Sequence, residues 1–215
     1  MSEKKRIFIS IIVFSFFIAA LPSGVFCKTT IHLKDNWLMQ SAFLARVEGE
    51  KISSQDFKPE SWYKTTIPTT VLTALVKNGV YPDPYIGVNN MKIPDASEEF
   101  NQKYALGKFT HLPDGRNPWL DTYWFRTEFT LPDDCEDKFL WLNLEAVNYR
   151  AEVWLNGHKI ADKEEIVGMF CDWSLNITEY VVFGEKNILA VKIFPLDYPG
   201  PVSYTHLTLP TKRIV

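Results

Sequence analysis

Residues 148–160, NYRAEVWLNGHKI, read as a strand, a two-residue turn and a second strand. Asn156 and Gly157 supply the two positive-φ positions of a type I′ turn, whose twist matches that of the strands it joins. Before the turn, Tyr149, Ala151, Val153 and Leu155 alternate with Arg150, Glu152 and Trp154. One face of this strand is therefore apolar, and the other carries two charges and a large ring.

The same punctuation recurs on both sides of the hairpin. Strands are expected over 123–131, 139–147, 149–155, 158–163, 170–175 and 187–194, and an earlier one over 31–43 whose Trp37 enters the core. Short strands separated by turn signals make an antiparallel β-sandwich. Within 123–131, Trp124 is opposite in phase to Tyr123 and Phe125, so a large ring must face outward or lie against an insertion. One short helix is expected: Thr69 or Thr70 caps it, Val71, Leu72, Leu75 and Val76 form its stripe, and Gly79 ends it. The segment YPDPYIGVNN, 81–90, has two prolines and a glycine and reads as a constrained loop. Residues 46–60 and 95–118 are polar and irregular, with a turn at Pro113, Asp114 and Gly115.

The chain has 215 residues, 46% of them hydrophobic, which suits one globular domain. Its formal net charge of −3 and the lack of a basic stripe exclude the electrostatics of a nucleic-acid partner. Lys4, Lys5 and Arg6 precede an apolar run over 7–21 and then Pro22, Ser23 and Gly24, the pattern of a bacterial secretory signal over residues 1–27. The run is shorter than the roughly 20 residues of a spanning helix, so no membrane span is expected once the signal is removed. Cleavage after Cys27, with Val25 and Cys27 at the −3 and −1 positions, competes with lipid anchoring at Cys27, against which stands the bulky Phe26. The expected location is the periplasm or the exterior. Cys135 and Cys171 then remain, and nothing in their spacing pairs them or builds a zinc site.

Three further motifs occur in order with the hairpin: PW-x5-FRTEFTLP at 118–132, NILAVKIFPLDYPG at 187–200 and IPTTVLTALVKNGVYPDPYIGVNN at 67–90. Together they resemble the N-terminal galactose-binding-like, or sugar-binding-like, domain of glycoside hydrolase family 2, in the branch of exo-β-glucosaminidases and endo-β-mannosidases. The resemblance covers about residues 30–200. It implies an all-β, antiparallel jelly-roll sandwich over 28–200. Its closing strand, with a Gly-Ile-Trp or Gly-Ile-Tyr motif, is not found. The residues 201–215 break the pattern and resemble a read-through sequencing adapter; the competing reading is one more edge strand. The resemblance also implies retaining hydrolysis without an organic cofactor, on a (β/α)8 barrel that supplies two carboxyl groups about 5 to 5.5 Å apart. The barrel does not fit in this chain, so the expected partners are a β-linked saccharide and further domains of the same polypeptide. No catalytic residue is assigned: Glu145, Glu152, Asp172 and Asp197 all read as solvated acids.

Candidate saccharide contacts lie in the loop and the hairpin. Asp83, Asn89 and Asn90 offer donors and acceptors that match hydroxyls, and Tyr85 offers an aromatic face, although such Asn and Asp side chains also bond their own loop backbone. Trp154, flanked by Arg150 and Glu152, reads either as a stacking platform or as cover for a second layer of the sandwich. The histidines His32, His111, His158 and His206 are scattered, without a nucleophile or metal partner by spacing. Asn176-Ile177-Thr178 matches a glycosylation acceptor, but Thr178 reads instead as the cap of a turn over 178–183. A stand-alone carbohydrate-binding module or lectin is the alternative to a hydrolase domain, and a sandwich with no ligand is a third reading. A sheet without its closing strand keeps an unpaired edge. Residues 28–200 expressed alone are therefore expected to self-associate in sedimentation velocity, and a monodisperse, cooperatively melting monomer would contradict that.

Overall fold

The computed structural model describes residues 30–136 and 138–196, together with the backbone of 213–214. The expected signal peptide, Cys27, Asp197 and the rest of the terminal segment lie outside the described residues. Among the described residues ten strands occur in chain order: β1 Ile31–His32, β2 Trp37–Ser41, β3 Tyr63–Thr65, β4 Tyr123–Thr130, β5 Trp141–Glu145, β6 Arg150–Leu155, β7 His158–Val167, β8 Asp172–Asn176, β9 Lys186–Phe194 and β10 Arg213–Ile214. They form a six-stranded sheet, β3-β2-β4-β9-β6-β7, and a four-stranded sheet, β1-β10-β5-β8. Every pairing is antiparallel. This is the sandwich expected from the alternation; β4, β5, β6, β8 and β9 fall within about two residues of the expected strands, whereas β7 is longer, the early strand is broken into β1 and β2, and β3 was not expected.

The hairpin of β6 and β7 forms as read. Asn156 and Gly157 both take positive φ, 50° and 86°. The Asn156 side chain also does work that no turn rule foretells. Its Nδ2 donates to the Tyr180 carbonyl and to Asn187 Oδ1, and its Oδ1 accepts from the Ile188 amide. Asn187, fully buried, in turn accepts from the Val182 amide and donates to its carbonyl. The turn is thereby bolted to the start of β9.

Between the sheets lie Trp37 and Met39 of β2, Tyr123 and Phe125 of β4, Val153 and Leu155 of β6, Leu189 and Val191 of β9, and Leu142 and Leu144 of β5. The alternate residues of β4 are not in water either. Trp124 is fully buried in a second cluster with Ile52 and Ala190, against which Val47, Phe57, Trp62 and Trp154 pack. Residues 42–62 cover that face, with the short helices α1 Ala42–Ala45 and α2 Gly49–Ile52. Arg126, 2% exposed, donates from Nε to the Ile52 carbonyl and pairs through Nη1 with Glu128 at 2.9 Å.

One expectation is revised. Four short helices occur among the described residues where one was expected. The expected one is α3 Val71–Lys77, with Thr70 accepting from the Thr73 amide and Val71, Ala74 and Leu75 buried; the fourth is α4 Glu98–Lys103. Between β1 and β5, β10 pairs with both over two residues. Extended backbone with open donors and acceptors takes a partner where the chain supplies one. Cys135 is buried, Cys171 is exposed, and both thiols are free.

A Cβ placed on Gly49 would lie 2.4 Å from the Trp154 ring. Gly49→Ala is therefore expected to overpack the second cluster and to destabilise the fold by about 1–3 kcal/mol, read as a lower denaturant midpoint with an unchanged m-value.

Candidate functional site

The proline-rich loop projects from a polar and aromatic stem. Tyr81, at its upstream foot, is 2% exposed. Its hydroxyl lies 3.4 Å from His111 Nδ1, and the other ring nitrogen of His111 lies 3.0 Å from the Tyr123 hydroxyl. Tyr123 itself donates to the Pro118 carbonyl at 3.0 Å. At the downstream foot Ile93 is buried and the indole N–H of Trp119 donates to the Pro94 carbonyl. The rings of Tyr81 and Trp119 stand 6.1 Å apart, so both feet rest on one cluster.

Burial governs the electrostatics of this stem. It pushes the His111 imidazole down to about 4, with Asp121 pulling the other way. It raises the phenols of Tyr81 and Tyr123 well above their ordinary value, and that of Tyr63 as well. Asp121, 5% exposed, accepts from the Ser41 hydroxyl and pairs with Arg116 at 3.3 Å. At neutral pH the stem holds a neutral imidazole among neutral phenols.

Above the stem, the loop satisfies its own polar groups. Asp83 Oδ1 accepts from the Tyr85 amide at 2.9 Å. Asn89 Nδ2 donates to the Asp83 carbonyl at 3.1 Å, and Asn89 Oδ1 accepts from Lys92 Nζ at 3.2 Å. The bonding of Asp83 and Asn89 to their own loop is thus realised. Asn90 is exposed. Tyr85 is 96% exposed, and Ile86, Val88 and Met91 expose apolar surface beside it in sequence. A rigid loop therefore offers an aromatic face among apolar side chains.

Trp154 does not join them. It lies on the outer face of β6 under α2, packed against Gly49 and the Trp124 cluster, with Lys159 Nζ 5.1 Å from its ring centre. The expectation of a stacking platform is corrected here: residues 42–62 cover the ring, which seals the second layer. Glu152 pairs with Lys159 at 3.5 Å rather than with Arg150. Sequence reasoning missed His111, because its partners stand 30 and 12 positions away and no spacing rule joins them. A separate cleft of about 470 Å³ lies at the β2–β3 edge, lined by Asp35, Asn36, Lys64 and Lys77 among others, and shares no residue with the loop.

Two stacked antiparallel sheets with a projecting loop define a jelly-roll β-sandwich domain. The profile of the glycosyl hydrolase 2 galactose-binding domain-like family matches residues 45–112 and 109–198, and the chain belongs to that family. It is 33% identical over 180 residues to a mannosylglycoprotein endo-beta-mannosidase of Lilium longiflorum, covering 79% of this chain and 16% of that protein. It is 30% identical over 146 residues to an exo-beta-D-glucosaminidase of Amycolatopsis orientalis, covering 68% of this chain and 12% of the relative. The crystal structure of an exo-chitosanase from the same organism superposes with a TM-score of 0.67 at 22% identity, over 87% of this chain and 20% of the other. A beta-D-mannosidase from Dictyoglomus thermophilum superposes with a TM-score of 0.57 at 18% identity, over 87% and 22%. The chain thus spans under a fifth of the length of the two relatives matched by sequence.

The depressed His111 value has a consequence for stability. The unfolded imidazole takes up its proton near its ordinary 6.5 and the folded one near 4, so stability contributed above 6.5 is lost as pH falls through that window. The expected loss is about 3 kcal/mol between pH 6.5 and 4. Denaturant titrations of the wild type and of His111→Gln should show this slope in the wild type and its absence in the variant.

Proposed function

We propose that this chain is the non-catalytic N-terminal domain of an exported retaining glycosidase acting on β-linked glucosaminides or mannosides. Its loop forms one wall of a saccharide pocket that the rest of the polypeptide completes. The observation that carries this reading is Tyr85, almost wholly exposed on a loop whose feet are buried and whose polar side chains are largely satisfied within it. Exposed apolar groups on a rigid support mark a surface that something else covers. A Tyr ring supplies a flat apolar face for the C–H side of a sugar and a hydroxyl for its edge.

The relatives' names point to carbohydrate substrates, and their greater length leaves room for a barrel carrying two carboxyl groups. In this reading the acids described in this chain are not catalytic: Glu152 is held by Lys159, and Asp172 is exposed on β8. No organic cofactor enters this chemistry. Among the described residues no helix is long and apolar enough to cross a membrane. The signal-like residues 1–27 support export, which N-terminal sequencing of the secreted product tests.

The 215-residue chain is expected to hydrolyse neither p-nitrophenyl β-glucosaminide nor the β-mannoside, and to bind chitosan or mannan oligosaccharides too weakly for calorimetry. The product of the reading frame continued past Gly200 is expected to hydrolyse one of the two. In it, Tyr85→Ala should raise KM about tenfold, as the loss of a stacking contact worth about 1–1.5 kcal/mol implies. Micromolar oligosaccharide binding by the 215-residue chain would instead favour a stand-alone binding module.

A further inference from the structure

The hydrogen bonds at the foot of the loop fix where the protons are. Tyr123 has one hydroxyl proton, and the Pro118 carbonyl 3.0 Å away can only accept it. The contact between Tyr123 and His111 Nε2 is then made by the imidazole, which donates its Nε2–H to the phenol oxygen at 3.0 Å. A neutral imidazole with its proton on Nε2 has a bare Nδ1, which accepts from the Tyr81 hydroxyl at 3.4 Å. The chain of donors runs in one direction: Tyr81 to His111, His111 to Tyr123, Tyr123 to Pro118.

We propose that His111 is the positioning residue of the loop: its bare Nδ1 holds the Tyr81 foot, and protonation at that nitrogen deprives the Tyr81 proton of its acceptor, weakens the foot and loosens residues 82–92. With a proton on Nδ1 that nitrogen becomes a donor, and the Tyr81 oxygen accepts from it only by turning its own proton away, which leaves that proton without its acceptor at a residue that is 2% exposed. The rest of the stem does not compensate. The groups that face His111 are Tyr63 from β3, Tyr81 from the loop foot and Tyr123 from β4, with Asp121 ahead of β4 as the one nearby acid. That carboxylate is already engaged by Ser41 and Arg116. The second foot, held by Trp119 on Pro94, does not titrate, so protonation loosens the loop from one end and leaves it tethered at the other. The low value set by burial places the change in the acidic range. For what the loosened loop would touch, the inference rests on the pocket-wall reading above; the positioning itself does not.

The test is hydrogen exchange on the 215-residue chain, followed at the amides of Ile86, Asn89 and Met91, which are bonded within the loop, with β4 and β9 amides as the internal control. Imidazole nitrogen NMR gives the tautomer directly. At pH 7 His111 is expected as the Nε2–H form, and Tyr81→Phe should speed loop exchange about five- to tenfold, the worth of one hydrogen bond, with the control amides unchanged. In the wild type, loop protection corrected for intrinsic rates should fall on going from pH 7 to 3.5. In Tyr81→Phe and His111→Phe it should be low at both pH values and flat between them. An Nδ1–H tautomer at neutral pH overturns the proposal, and so does unchanged loop protection in Tyr81→Phe. If β4 and β9 open at low pH, the tautomer and the Tyr81→Phe comparison at pH 7 still decide it. No saccharide enters these measurements. Tyr85→Ala, which weakens the pocket wall, should leave the pH profile as it is, so the two readings fail separately.

Discussion

Strand β4 is buried on both faces, and the rest of the molecule is arranged around that constraint. Tyr123 and Phe125 fill the space between the sheets, while Trp124 and Arg126 would stand in water if the outer face were open. Leaving a Trp exposed forgoes about 2–3 kcal/mol of apolar burial, and a buried guanidinium needs partners for its donors. Residues 42–62 meet both needs at once. They lay Ile52, Val47, Phe57 and Trp62 over the indole, and they offer the Ile52 carbonyl to the Arg126 side chain. Trp154 belongs to the same cover, and Gly49 is the one residue small enough to let α2 approach its ring.

With one face of the sheet sealed, the chain has a firm base from which to raise a loop. Tyr123 connects the two regions. Its ring lies in the core, and its hydroxyl reaches His111 and the Pro118 carbonyl. The loop stem is therefore anchored to the strand that the whole sheet is built on. That continuity lets an almost fully exposed Tyr85 sit on a defined backbone rather than on a wandering one, which matters because a binding surface ordered in advance loses less entropy when it is covered.

How much of this was legible follows from the range of the signals. Asn156-Gly157 set the hairpin because turn chemistry acts over two residues, and period-two alternation placed six strands because side chains alternate along any extended backbone. Thr70 capped α3 for the same local reason. The phase of Trp124 left it either facing outward or lying against an insertion, and the insertion that covers it was hidden in 46–60, whose polar look comes from residues that face water while Ile52 faces the sheet. Asp83 and Asn89 were marked as polar candidates, and the loop turned both inward upon itself.

The sequence by itself determined the sandwich, most of its strands, the hairpin turn and the projecting proline loop, since each rests on neighbours within one or two turns of chain. Only the tertiary structure decided that Trp154 packs instead of stacking, that Asn156 secures β9, and that His111 holds Tyr81. Those are contacts between residues brought together by sheet order and not by spacing, and the burial that sets the His111 charge state exists only once β3, β4 and the loop foot have closed around it.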